Sequence, residues 1–383
     1  AISLPRLPKP IDTFIDQMAD ATSSPKATST GDKSKSTSPN RSKTASPAGG
    51  LSPGSTREEV LAAAIEIDDA IPDNDSTIED RISSYTASLT SSVVDYPTEN
   101  GRRYHAFRAG AYYGPNDEQE MDRLDFNHML MTKAIGNKLF LAPIDTEKVH
   151  NVLDIGTGTG IWAIEAAEIF PNAKVTGNDL SAIQPTWVPP NVHFEVDDVE
   201  SPWLGLNGFD FIFCRYMLGA IADWPKLMGR VYENTKEGGW VEFQDYDLSF
   251  VSDDGSLTEE HETMKWVQGF IKACDTIGRN ACPGPHLEGW VKDAGFTDVV
   301  HQRFKLPIGP WSKDPHYKEL GIINLIQLMD GAEAFTFRIF CDVLGWTRDE
   351  CIVMLAKVRN ELKSNTFHAR MEFHVVYGRK PSD

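Results

Sequence analysis

The stretch Val149-His150-Asn151-Val152-Leu153-Asp154-Ile155-Gly156-Thr157-Gly158-Thr159-Gly160 decides the fold class. A short apolar run ends in an acid. Glycines follow at alternate positions, and a helical pattern with Ile161, Ile164, Ala167 and Ile169 continues from them. Glycines let a backbone turn tightly and approach a ligand closely, and a helix N-terminus leaves N–H donors free to meet it. Downstream, apolar runs at 173–177, 192–196, 209–214 and 240–243 read as strands, and patterns at 224–235, 258–276 and 286–294 read as helices. Residues 299–306 and 373–377 read as the last strands, with a helical stretch over 313–363 between them. This alternation predicts an α/β fold: a mostly parallel sheet with helices on both faces.

The glycine spacing bears on the ligand. Dinucleotide sites use G-x-G-x-x-G, whose third glycine packs helix on strand; that position here is Ile161. The observed G-x-G-x-G, preceded by Asp154, resembles the first motif of class I S-adenosylmethionine-dependent methyltransferases. A carboxylate at this loop repels a pyrophosphate but pairs with the amino group of a methionyl moiety. Asn178-Asp179 ends the second strand, where an acid accepts from ribose hydroxyls. Asp197-Asp198 ends the third, where an acid accepts from an adenine amino group; Asp198 aligns best in the resemblance. Cys214-Arg215-Tyr216 ends the fourth, where the chain passes beneath the cofactor. The expected cofactor-binding set is therefore Asp154, Gly156, Thr157, Gly158, Gly160, Asp179, Leu180, Asp197, Asp198 and Arg215.

Other runs narrow the resemblance. Asn100-Gly101-Arg102-Arg103-Tyr104-His105, Asp117 to Leu124, Ile183 to Pro190, Gly238 to Asp245 and Phe373 to Gly378 look like those of the LaeA-like fungal methyltransferases. The likeness covers roughly residues 80–380. It implies a Rossmann-like, seven-stranded sheet with an antiparallel last strand. It also implies one of two roles: a regulator of development and secondary metabolism in nucleus and cytoplasm, associated with velvet-type proteins or another methyltransferase-like subunit, or a tailoring enzyme for small metabolites. A third alternative is a subunit that keeps the cofactor fold mainly for assembly.

Methyl transfer is an in-line displacement at an activated carbon, so the protein mainly supplies proximity and orientation. A base is needed only when the acceptor must lose a proton. The acceptor pocket is expected over the carboxyl ends of the strands. Gln244, Asp245 and Tyr246 reach there after the fifth strand, and Tyr104 and His105 belong to a lid. No His, Cys or acid spacing suggests a metal site, and no residue pattern names the catalytic residue or the acceptor.

Composition sets the outer limits. The chain has 383 residues and a net charge of −19. Residues 1–60 hold eight basic and six acidic side chains, so the acidity belongs to the remainder. So acidic a body repels phosphate backbones, and direct nucleic-acid binding is not expected. No stretch approaches the roughly 18 apolar residues of a membrane span. No signal-type apolar segment opens the chain, and five cysteines without a C-x-x-C pair fit a reducing compartment.

The expected domains are a leader over 1–60, a helical lid over 61–147 and a core over 148–383 with a helical insertion at about 310–365. Residues 21–56 contain ten Ser, six Thr and four Ser-Pro pairs but no aromatic residue, a composition that predicts disorder. It reads either as a phosphorylated regulatory tail or as a solvated linker. Ile11, Phe14, Ile15 and Met18 precede it as one helical face, and Asp75 or Ser76 is placed to cap a helix carrying Ile78, Ile82, Tyr85 and Leu89. A further helix is expected over 118–140.

Overall fold

The computed structural model describes residues 95–108, 111–203 and 208–382. The leader over 1–60 and the expected helix around Ile78–Leu89 lie outside them. Seven strands form one sheet: β1 (Asn151–Ile155), β2 (Lys174–Asp179), β3 (Val192–Val196), β4 (Phe209–Arg215), β5 (Thr235–Ser252), β6 (Thr297–Pro307) and β7 (Ala369–Arg379). Their order is β3-β2-β1-β4-β5-β7-β6. The first five pair in parallel, and β7 runs antiparallel to both β5 and β6. The expected α/β sheet is thus observed.

Alternation along the strands divides the core into two layers, because successive side chains leave a strand on opposite faces. Val152, Phe211 and Phe213 pack with Trp162, Ala163 and Ala166 of α2 (Ile161–Ile169). The Trp162 ring stacks on Phe213 at 3.9 Å between centroids. Leu153, Ile212, Cys214 and Val241 pack instead with α3 (Trp224–Asn234) and α5 (Leu287–Asp293). α3 starts where Asp223 accepts from the Lys226 N–H and Pro225 occupies the first turn, an arrangement that satisfies an otherwise orphaned donor.

A third cluster caps the end of β5–β7. It combines α1 (Glu118–Ala134), α4 (Glu262–Thr276), α6 (Pro315–Gly331), α7 (Phe337–Leu344) and α8 (Arg348–Ser364). The helical stretch expected over 313–363 consists of three helices. Ala332–Thr336 interrupts it first, and Gly345 at φ 73° ends α7 before the Thr347–Glu350 capping box opens α8. α1 stops short of 140 because Gly136 and Asn137 adopt φ of 79° and 57°. β5 extends far beyond Trp240–Phe243: its second half pairs with β7 as far as Ser252–Ala369, around an irregularity between Asp247 and Val251. Of the expected lid, residues 95–147 contribute a two-residue hairpin at Thr98–Glu99 and Arg102–Arg103 followed by α1.

α6 docks backbone to backbone on the loop after β6. The Gly309 N–H donates to the Gly321 carbonyl at 2.9 Å, and the Asn324 amide donates to the Pro307 carbonyl at 2.9 Å. A Cβ at Gly321 would overlap the Gly309 carbonyl oxygen, which is backbone and cannot rotate away. Helix propensity favours Gly321→Ala by about 1 kcal/mol, whereas overpacking costs about 1–3 kcal/mol. Steric cost is expected to win, so urea unfolding should show a lower midpoint for Gly321→Ala; an equal or higher midpoint would mean that α6 does not sit this close.

Candidate active site

The loop from β1 into α2 is shaped by its glycines. Gly156, Gly158 and Gly160 adopt φ of 66°, 56° and 82°, a region that strains any residue with a Cβ. Side chains would also lack room: a Cβ at Gly156 would overlap the Met217 thioether, and one at Gly160 the Phe194 ring. Thr157 anchors the turn. Its N–H donates to the Asn178 carbonyl at 2.9 Å, and its hydroxyl donates to Asp154 at 2.6 Å. Asp179 ties the loop to the end of β2, accepting from the Gly158 N–H and the Ser181 N–H at 2.9 Å each. Leu180 continues this turn half-buried. The Gln184 amide closes it by donating to the Gly158 carbonyl at 2.7 Å.

The third strand brings its acids to the same edge. Asp197 accepts from the Asp198 N–H, and Asp198 accepts from the Glu200 N–H and the Ser201 hydroxyl. Arg108 reaches over from the segment before α1, 3.7 Å from Asp198 and donating to the Ser201 hydroxyl at 3.0 Å. Asn116 also bridges to this edge, donating to the Ser181 hydroxyl at 3.2 Å. Neither Arg108, Asn116 nor Gln184 was assigned a site role from sequence. Their partners lie 26 to 93 residues away, and no local spacing signals that.

Arg215 lies beneath the loop rather than in it. Its guanidinium donates to His128 Nδ1 at 2.6 Å, which leaves the Nε2–H of His128 to donate to Glu165 at 3.2 Å. Arg215 also supplies positive charge near the buried Asp154 and Glu242. Burial pushes Asp154, Glu242 and Asp245 each up to about 7. Glu242 is offset by N–H donors from Leu141, Ala142 and the Gln244 amide.

The acceptor-side candidates separate. Tyr104 is buried under the Arg338 guanidinium, 4.4 Å from its ring centroid. His105 staples its own loop, its ring nitrogens 2.7 Å from the Phe107 carbonyl and 2.9 Å from the Tyr112 carbonyl. Gln244 is buried against Glu242, and Asp245 accepts from the Met217 and Tyr246 N–H groups. Tyr246 lines a cavity, together with Tyr216, Phe250, Trp266, Gln327 and Phe335. A second cavity, lined by Tyr112, Glu120, Gly219 and Cys274, shares Tyr216, Leu218, Phe270 and Phe335 with the first. Each is narrow, about 30 Å³, so a substantial acceptor must part the shared Phe270 and Phe335 rings. Arg123 supports the shared wall. It pairs with Glu120 at 2.5 Å and donates to the Tyr216 hydroxyl at 3.0 Å and to Gln327 at 3.2 Å.

S-adenosylmethionine fits this cradle. Gly156 and Gly160 leave no room for side chains, the carboxylates Asp154 and Asp179 suit a cationic methionyl end and ribose hydroxyls, and Asp198 stands at the next strand end. Among the described residues, no group of three or more His, Cys, Asp or Glu is placed to hold a metal ion, and no helix is long and apolar enough to cross a membrane.

A family model described as a methyltransferase domain matches residues 126–302. Methyltransferase pytC of Aspergillus terreus is 46% identical over 310 residues, 81% of this chain and 95% of that one. The secondary metabolism regulator LAE1 of Cochliobolus heterostrophus is 36% identical, over 74% of this chain and 94% of that one. The chain belongs to the LaeA-like methyltransferases. Another relative, the protein-methionine methyltransferase laeA of Emericella nidulans, is 35% identical over 74% of this chain and 76% of its own. The expected family and fold class are therefore observed together, and the glycine loop lies inside the matched domain.

Asp179→Ala should weaken S-adenosylhomocysteine binding in calorimetry by about tenfold or more, because a charged hydrogen-bond partner contributes about 1.5–3 kcal/mol. Unchanged affinity would place the ribose elsewhere. A second expectation concerns pH. Glu242 carries a raised folded pKa, so its contribution is present below its unfolded value, about 4, and is lost as pH rises through about 7. Burial holds His128 and His374 low, which pulls the opposite way, so the readout is a difference. Relative to the native chain, Glu242→Gln should gain stability steadily from pH 5 to 8 in urea unfolding; a pH-independent difference would show that Glu242 is not perturbed.

Proposed function

We propose that this chain transfers methyl groups from S-adenosylmethionine as a regulator of secondary metabolism and development, acting in nucleus and cytoplasm with velvet-type proteins or another methyltransferase-like subunit. The observation that carries the transferase reading is the acid-lined glycine loop standing beside an apolar chamber. When bound, the cofactor supplies a methyl group on an activated sulfonium. Gly156, Gly158 and Gly160 admit it, Asp179 and Asp198 orient its adenosine end, and Phe270, Phe335 and Trp266 exclude water from the acceptor. No side chain lining the first cavity is an ionisable acid, base or thiol apart from its tyrosines. Such a chamber suits an acceptor that needs no strong base, a thioether among them, and a protein-methionine methyltransferase is one of the relatives. The regulator role is supported by the LaeA-like membership and by the Ser-Pro-rich composition of residues 21–56.

A second reading, tailoring of a small metabolite, is favoured by the wholly apolar and aromatic walls of the first cavity apart from Gln327. The two readings part in one experiment. The full chain is incubated with methyl-labelled S-adenosylmethionine in fungal extract, and the label is followed into protein and into solvent-extractable fractions. Label in protein is the expected outcome. Label confined to small molecules selects the tailoring role, and cofactor binding without any incorporation contradicts the enzyme reading in favour of an assembly subunit.

A further inference from the structure

Tyr216 is the residue in which the cofactor edge and the chamber meet. It follows the last residue of β4, and its neighbour Met217 lies against Gly156. Its φ is 61°, a conformation that is uncommon for a bulky residue and is found where the surroundings over-determine it. Here they do. The Tyr216 N–H donates to the Gln244 carbonyl at 2.9 Å, the ring meets Tyr246 edge-on at 5.5 Å, and Arg123 donates to the hydroxyl oxygen. The left-handed turn takes the ring off the strand's alternation and sets it in the wall shared by both cavities.

The other polar side chains of the first cavity each hold a protein partner. The Tyr246 hydroxyl donates to Asn127 at 2.6 Å. The Gln327 amide donates to Asn324 at 2.9 Å, and its carbonyl accepts from Arg123. The Tyr216 oxygen is likewise occupied by Arg123, but its proton has no acceptor among the described residues. Burial raises the pKa of this hydroxyl, so it stays protonated and acts as a donor. Tyr216 is half-buried, and a donor turned to an apolar cavity without an acceptor gains a hydrogen bond when a ligand oxygen arrives.

We propose that the first cavity receives the methyl acceptor and that Tyr216 selects it, donating its O–H to an oxygen of an uncharged, largely apolar molecule, or to the backbone carbonyl beside a methionine side chain. Arg123 is the positioning residue: by holding the hydroxyl oxygen it turns the proton toward the cavity. A hydrocarbon of the same shape leaves the donor unpaired, and a carboxylate meets no free cation on the cavity wall. This assignment rests on the methyltransferase reading, because it takes the chamber for the acceptor side of that site.

The test uses the full chain saturated with S-adenosylhomocysteine and two probes of nearly equal shape, acetophenone and α-methylstyrene. Tyr216→Phe keeps the ring and removes the donor. It should weaken acetophenone binding by about twofold to tenfold, the range of one neutral hydrogen bond, and leave α-methylstyrene unchanged or tighter. The carbonyl stretch of bound acetophenone should lie at lower frequency in the native chain than in Tyr216→Phe. Equal weakening of both probes, an unshifted stretch, or no binding of either probe to the native chain would overturn the proposal. Should the variant lose S-adenosylhomocysteine through misfolding, the stretch in the native chain, compared with free acetophenone in an apolar solvent, decides alone. Failure of the native chain to bind S-adenosylhomocysteine would instead overturn the underlying methyltransferase reading.

Discussion

The bond from the Gly158 N–H to the Asp179 carboxylate, 2.9 Å long, is the constraint on which the site depends. It joins the turn after β1 to the end of β2, and it requires Gly158 to stay at positive φ. Thr157 secures the same turn from below through Asp154, and Gln184 secures it from above through the Gly158 carbonyl. The loop therefore gains its shape from three separate segments. Such overdetermination lets a backbone hold a strained, ligand-accepting conformation.

The same edge concentrates negative charge in a buried place. Asp154, Glu242 and Asp245 all lie within it, and burial opposes their ionisation. The fold offsets this cost with backbone N–H donors and with Arg215, itself turned onto His128. On the far side of the edge, Arg123 and Glu120 form a second buried pair that holds Tyr216 and Gln327. Removing one member of such a pair leaves an uncompensated charge. The pairs thus fix the walls of the site as firmly as apolar packing fixes its layers.

The glycine loop and the strand-end acids are legible in the sequence, because each element there is local. An apolar run ends in an acid, glycines follow, and the next two strands end at Asp179 and Asp198. Strand positions are legible for the same reason: β4 is an almost unbroken apolar run, and β3 alternates buried Val192 with exposed His193 and Glu195. The cavity wall beside them is not. Tyr216, Arg123 and Gln327 meet from positions 93 to 204 residues apart, and their codes alone suit an ordinary surface or core. Gln244 and Asp245 were drawn into the acceptor pocket by their place after the apolar part of β5. The strand continues through them to Ser252, so both are consumed by its own framework. His105, expected in the lid segment, staples its own loop through both ring nitrogens. The helical stretch over 313–363 divides at Ala332–Thr336 and at Gly345, whose left-handed conformation ends α7.

Hydrogen–deuterium exchange of the full chain, with and without S-adenosylmethionine, tests the central claim most directly. The cofactor should slow exchange in 154–162, 178–184 and 197–201, and leave the β6–β7 pairing outside the cap unchanged. Protection absent from the glycine loop, or confined to the outer strands, would contradict the account.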